Sequence, residues 1–430
     1  MNPVERLVYR TLVYTWPFYA IGALYVVGPV LAWILGGLAV LCLYLGPAVR
    51  EDMRATGPIP LLVWAWGLGM FVMLVALWFG HMDWGLGLKK TIKSSIGWAK
   101  GWALLALFPL AGAVLPIRRE VLVRGQCVVA ACTLALMPIL LIAPYIGLPE
   151  RIFTSPLKAI GGPGPEYFSV YFFTYDPSNW APRWQFYAPW SPFAALLGVI
   201  TVIFALEEKS RKWLLIGVAA GVLMILASKS RMGLVGLVAC TIGPRMMPLL
   251  LKGWAWQLVA GLTASLAVLG TLLMQLALDA VAGFKGARAD STRVRETLQR
   301  IAYERWSNEA VWFGHGTIRP GPHLVEYMPI GSHHTWYGLL FVKGLVGFTA
   351  LLIPMLWHIG FTLIDATRSG RGRLPLGIIM TFVLLSFGEN IEIEAYLLWP
   401  ALVMLGVHLR EVEGHQALPA AGITAEPVAQ

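Results

Sequence analysis

In the segment GSHHTWYGLLFVKGLVG, residues 331–347, two histidines stand directly before an apolar run. An imidazole at the start of a helix feels the positive end of the helix dipole, which favours the neutral ring. A neutral ring can take a proton from a hydroxyl. His333 and His334 are therefore candidates for a general base, alongside the plainer reading that they and Ser332 only cap the helix. His315, in WFGHGT, is a third candidate, set between glycines that suggest a tight turn.

Cationic side chains supply the complementary chemistry, the holding of an anion. Arg231, in ASKSRMG, begins an apolar run. An arginine there either snorkels to an interface or presents its fork of donors to phosphate oxygens. Arg288 stands just before the charged run ADSTRVRETLQRIAYERW and Arg293, Arg295 and Arg300 lie in it, where a solvated helical face is the simple reading and one inward-pointing arginine would suffice for a site. Asp290 or Ser291 is placed to cap that helix. Lys229 and the group Lys89, Lys90 and Lys93 could draw a pyrophosphate electrostatically.

Glu389, Glu392 and Glu394 crowd the short stretch FGENIEIEAY, where they either orient an imidazolium, hold an arginine or cap the next helix. There is no HExxH or DxD motif, so catalysis without a protein-bound metal or cofactor is expected. Cys42, Cys127, Cys132 and Cys240 fall in apolar runs, which gives neither a disulfide framework nor a zinc site.

The elements that must position these residues follow from composition. Of 430 residues, 57% are hydrophobic and 13% charged, about half the charge of an ordinary soluble domain, and mean hydropathy is +0.67. Nineteen tryptophans and 45 glycines fit membrane interfaces and spanning helices. The expected fold is an all-α polytopic membrane protein. Spans are expected at 11–28, 30–46, 59–79, 97–115, 121–143, 192–206, 213–227, 232–250, 254–278, 336–363, 374–388 and 394–409, twelve in all, the first two separated only by Gly28 and Pro29 and so readable as one kinked element.

With that count, the basic residues of the short loops fall on one side: Arg6 and Arg10, Arg50 and Arg54, Arg118 and Arg119, EEKSRK at 207–212, Arg245 and Lys252, and RSGRGR at 368–373. The positive-inside rule makes that side, with both termini, cytoplasmic. The net charge of +10 then reflects cytoplasmic loops and anionic lipid or phosphate partners rather than nucleic acid. Two long loops, 144–191 and 280–335, lie outside together with Lys89–Lys93 and Lys229–Arg231. The first is rich in proline, glycine and aromatics that offer stacking faces to a sugar. The N-terminus is expected to be a retained helix, residues 1–410 a single bundle, and 411–430 a flexible tail.

Several short motifs, in this order, are shared with a known family. ASKSRMGLVGLVA resembles the "SR" helix start of the O-antigen ligase and polymerase superfamily of lipid-linked polysaccharide enzymes. Gly314-His315-Gly316, Ser332-His333-His334 and Gly344-Leu345-Val346-Gly347 resemble its GxG turn, its "SHN" and its "GLxG" helix. The likeness covers about residues 210–390. One position departs: the family asparagine is His334 here, which leaves the functional histidine open between His333 and His334.

The resemblance implies a GT-C-type membrane glycosyltransferase fold in a bacterial inner membrane, with glycan transfer at the periplasmic face. It implies a donor linked to undecaprenyl pyrophosphate and a glycan or lipid acceptor, with flippase and chain-length regulator proteins as associates. On this footing His333, Arg231 and Arg293 would be catalytic. His334, Arg295, His315, Lys229, Lys89, Lys90 and Glu389 would bind substrate. A repeat-unit polymerase is the first reading and a ligase to lipid A–core the second. A transporter would place polar residues deep in its spans, whereas these spans read as nearly free of charge.

Overall fold

The computed structural model describes residues 1–48, 51–176, 180–254 and 289–416, with 256–258, 260, 261 and 263 between them. The expected span 254–278 falls mostly outside these residues, as do Arg288 and the side chains of Asp290 and Ser291.

The described chain is mostly helical. Six helical segments are long and apolar enough to cross a membrane: Leu24–Leu45, Leu61–Asp83, Leu88–Val114, Arg119–Ile142, Arg231–Leu249 and Thr335–Arg368. In chain order the helices are α1 Pro3–Val13, α2 Thr15–Ala20, α3 Leu24–Leu45, α4 Leu61–Asp83, α5 Leu88–Lys100, α6 Leu104–Val114, α7 Arg119–Ile142, α8 Ser191–Ala205, α9 Arg211–Ala227 and α10 Arg231–Met246. After the undescribed segment come α11 Ala289–Glu309, α12 Thr335–Arg368, α13 Arg373–Ser386, the single turn α14 Ile391–Glu394 and α15 Trp399–Gln416. Between α7 and α8 lie two antiparallel hairpins, β1 Arg151–Thr154 with β2 Ser169–Tyr171 and β3 Phe173–Tyr175 with β4 Pro182–Trp184.

Three expected boundaries move. Gly28 and Pro29 do not divide two spans: both lie inside α3, with Pro29 in its second turn. Gly28 serves packing instead, because a Cβ there would sit 2.6 Å from the Tyr396 carbonyl oxygen. The chain turns earlier, at Gly22, whose φ of +65° only glycine adopts freely. The expected span 97–115 is two helices, α5 and α6, meeting at Gly101 against the Glu392 carbonyl. The polar stretch after Arg410 remains helical to Gln416.

α15 runs through the core against α6, where Gly112 faces the Val403 carbonyl and Gly406 the Pro109 carbonyl. α8 and α9 cross in the same way at Gly198 and Gly221. Small residues at such crossings let helix backbones approach in a medium that gives little hydrophobic drive between helices.

A set of ion pairs, one of them to Glu411 near the C-terminal end of α15, ties the start of α7 to its neighbours. Arg118 meets Glu5 at 2.7 Å, Arg119 meets Glu411 at 2.8 Å and Glu207 at 3.6 Å, and Arg124 meets Glu208 at 2.8 Å. Arg410 donates to the carbonyls of Gly112 and Ile117 at 3.1 and 2.6 Å, satisfying the end of α6. The candidate site lies at the other end of α15, around residues 387–398.

Candidate functional site

The Ser228–Arg231 turn is held by the β3–β4 hairpin. Arg183 Nε donates to the Ser228 carbonyl at 3.3 Å, and Ser228 Oγ donates to the Trp184 carbonyl at 3.1 Å. Lys229 adopts φ +48°, exposed, with its ammonium 5.9 Å from the centre of the Trp184 ring. Ser230 Oγ accepts from the Gly233 amide at 3.3 Å and so caps α10, placing half-buried Arg231 as its first residue. The start of α10 packs beside Gly388, where a Cβ would lie 2.8 Å from Met232 Sδ. The motif turn is thus brought against the acidic stretch 389–394.

That stretch receives the histidine pair. His333 has φ +59°, the left-handed region that a non-glycine residue occupies at a cost. Its Nδ1 lies 3.4 Å from Glu389 Oε2; the Glu389 side chain is 5% exposed and the His333 side chain 35%. His334 does something else. It is buried, its Nδ1 accepts from the Tyr337 amide at 3.4 Å as the cap of α12, and its own amide donates to Asn390 Oδ1 at 3.3 Å. Its ring lies among Tyr337 and Phe387, and burial pushes its pKa down to about 4. Thr335 Oγ1 donates to the Glu389 carbonyl at 2.7 Å and accepts from the Ile391 amide at 3.0 Å.

The glycine motifs meet one another. α12 is broken at Gly344, with φ +63° and ψ −163°. The groups freed by the break are taken up by residues 311–316. The Leu345 amide donates to the Val311 carbonyl at 2.8 Å and that of Val346 to Trp312 at 3.1 Å, while the amides of His315 and Gly316 donate to the carbonyls of Phe341 and Val342 at 2.8 and 2.9 Å. Irregular backbone inside a bundle persists only where protein satisfies it in this way.

His315 is fully buried in this clamp. It stacks on Phe341 at 4.3 Å and Trp84 at 4.8 Å, with Nδ1 3.0 Å from the Phe341 carbonyl and Nε2 2.8 Å from Glu309 Oε2. Arg305 grips the same carboxylate at 2.8 Å, and its hydrogen bonds hold the Glu309 pKa down at about 2. With both nitrogens engaged, His315 joins α4, α11 and α12.

Arg293 is exposed and Arg295 half-buried on α11. Lys89 and Lys90 are exposed on α5.

Glu392 and Glu394, candidates from the sequence, are joined by buried polar residues within the helices that carry no sequence motif, Lys343, His358 and His408. Lys343, in the turn before the break, is 4% exposed, and its ammonium and the Glu392 carboxylate attract one another. Burial pushes the Glu392 pKa up to about 7. Buried Glu394 accepts from the Tyr167 hydroxyl at 3.3 Å. Deeper still, Trp66 Nε1 donates to His358 Nδ1 at 3.1 Å, and His408 Nε2 lies 3.4 Å from Asp365 Oδ2. The helices are therefore less free of charge than their mean hydropathy implies. A single lysine or aspartate barely alters an 18-residue average, and that is why averaging missed these positions.

Comparison of the chain with family models, curated proteins and solved structures returned no match. Among the described residues, no group of three or more His, Cys, Asp and Glu side chains is placed to hold a metal ion. What the geometry offers is a half-exposed imidazole backed by a buried carboxylate, with the arginine-led start of α10 packed beside the same turn.

Proposed function

We propose that the protein is a glycosyltransferase of a bacterial inner membrane. In this reading it polymerises oligosaccharide repeat units carried on undecaprenyl pyrophosphate, at the periplasmic face. The observation that carries the reading is the His333–Glu389 pair, set beside the capped turn that presents Arg231 and at the head of a broken helix. The order of the motifs in the sequence supports it.

In the transfer step the acceptor hydroxyl oxygen attacks the anomeric carbon of the donor. His333 takes the hydroxyl proton, with Glu389 orienting the ring and stabilising its charge. The bond from the anomeric carbon to the pyrophosphate oxygen breaks. The electron pair leaves with undecaprenyl pyrophosphate, whose growing charge Arg231 stabilises.

The test is the chain-length profile of lipid-linked and surface glycans in cells whose only copy carries His333→Asn. Asparagine tolerates a left-handed backbone, so the turn is kept and the imidazole removed. Single repeats without long chains are the expected result. Long chains that stay on the lipid carrier would make the protein the ligase. An unchanged profile at normal protein level would remove His333 from the chemistry.

A further inference from the structure

The last turn of α4 and the amphipathic helix α5 enclose an open groove of about 900 Å³, walled by Trp78, Met82, Leu88, Ile92 and Ile96 and floored by Ser95. Met82 is 73% exposed and Leu88 76%, so this apolar wall has no protein cover. The groove is fixed in shape: Trp78 Nε1 donates to Ser95 Oγ at 3.0 Å, and His81 Nε2 lies 2.9 Å from Ser94 Oγ. By helical spacing Lys89 and Lys93, four residues apart and both exposed, fall on one edge of α5, beside the strip of Leu88, Ile92 and Ile96 that lines the groove.

Like charges at that spacing repel. Among the described residues neither lysine has an ion-pair or hydrogen-bond partner, and Asp83 is the one acidic residue between positions 78 and 100. An apolar trough edged by two uncompensated cations is complementary to one kind of molecule, an amphiphile with an anionic head.

We propose that the α4–α5 groove is a site for one anionic phospholipid, its acyl chains on Trp78, Met82, Ile92 and Ile96 and its phosphate between Lys89 and Lys93. The groove shares no lining residue with the His333–Glu389 pair and does not depend on the proposed transfer reaction. It has a route to the bundle, because Gly80, next to the groove residue His81, packs on the Phe313 carbonyl and on Gly316 of the turn that clamps the α12 break. The lipid thus braces the end of α4 that supports this clamp.

The full chain, purified from its membrane and then exchanged into equal phosphatidylglycerol and phosphatidylcholine, would be analysed by native mass spectrometry for retained lipid. One phosphatidylglycerol retained in preference to phosphatidylcholine is expected. The preference should fall about 30-fold in Lys89→Gln/Lys93→Gln and remain in Lys212→Gln, a control in a different helix. Equal retention of the two lipids, or an unchanged preference in the double variant, would overturn the site. So would a polyprenyl phosphate retained through the exchange from the native membrane, or displacement of the retained phosphatidylglycerol by inorganic phosphate alone.

Discussion

Thr335 Oγ1 joins the first residue of α12 to the acidic turn, giving its proton to the Glu389 carbonyl at 2.7 Å and receiving that of the Ile391 amide at 3.0 Å. The hydroxyl is buried. Thr335→Val keeps the shape and leaves a carbonyl and an amide unpaired, so a loss of about 2–4 kcal/mol is expected. Denaturation of the purified protein measures it. A loss below about 0.5 kcal/mol would mean that water replaces the hydroxyl.

Glu389→Gln retains the volume of the carboxylate and removes its charge from the 3.4 Å contact with His333. If that contact orients the ring and stabilises its protonated form, the transfer rate falls by about 10²-fold or more while the protein folds normally. Single-turnover transfer with a lipid-linked donor is the measurement. Glu389→Gln at the wild-type rate would make the pair a structural contact with no part in the chemistry.

Two glycines of α12 should behave in opposite ways. At Gly344 the backbone is left-handed and a Cβ would overlap the Trp312 carbonyl. Gly344→Ala must therefore displace residues 311–316 from the helix break, at a cost of about 3 kcal/mol or more. At Gly360 a Cβ meets nothing within 4 Å, and Gly360→Ala should stabilise by about 0.5–1 kcal/mol. Melting temperatures of the two variants give the comparison; equal shifts would show that the break at Gly344 is not held by its neighbours.

His334 predicts a pH dependence. Burial lowers its pKa from 6.5 to about 4, so as pH falls the unfolded chain binds the proton before the native one does. Stability then declines with falling pH across the window from 6.5 to 4. His334→Asn supplies another side-chain cap without a titrating ring. Its stability should match the wild type at pH 7.5 and exceed it at pH 5. Parallel pH–stability curves for the two proteins would contradict the assignment.

Much of the site can be read locally. A serine before a glycine-bearing apolar run becomes the Ser230 cap of α10, and a polar pair before an apolar run becomes the head of α12 with His334 as its cap. These features depend on a few consecutive residues, and the physics of helix ends acts over that range. The helix break is harder. Gly344 looks like any glycine in a spanning helix until the 311–316 turn is seen to occupy its freed hydrogen-bonding groups. The division of α3 from α2 was misplaced because Gly28 and Pro29 are stronger punctuation in sequence than Gly22, yet it is Gly22 that has positive φ.

Sequence by itself determined that this chain is built largely from apolar helices and where most of them lie, because hydropathy patterning is a short-range property. Only the tertiary structure decided that Glu389 would face His333, that Met232 would bring the start of α10 to Gly388, and that Lys343 would be buried within reach of Glu392's charge. Those pairings join residues far apart in the chain. They are set by how glycine-lined helices cross and where a broken helix is clamped, and no local window of sequence contains that information.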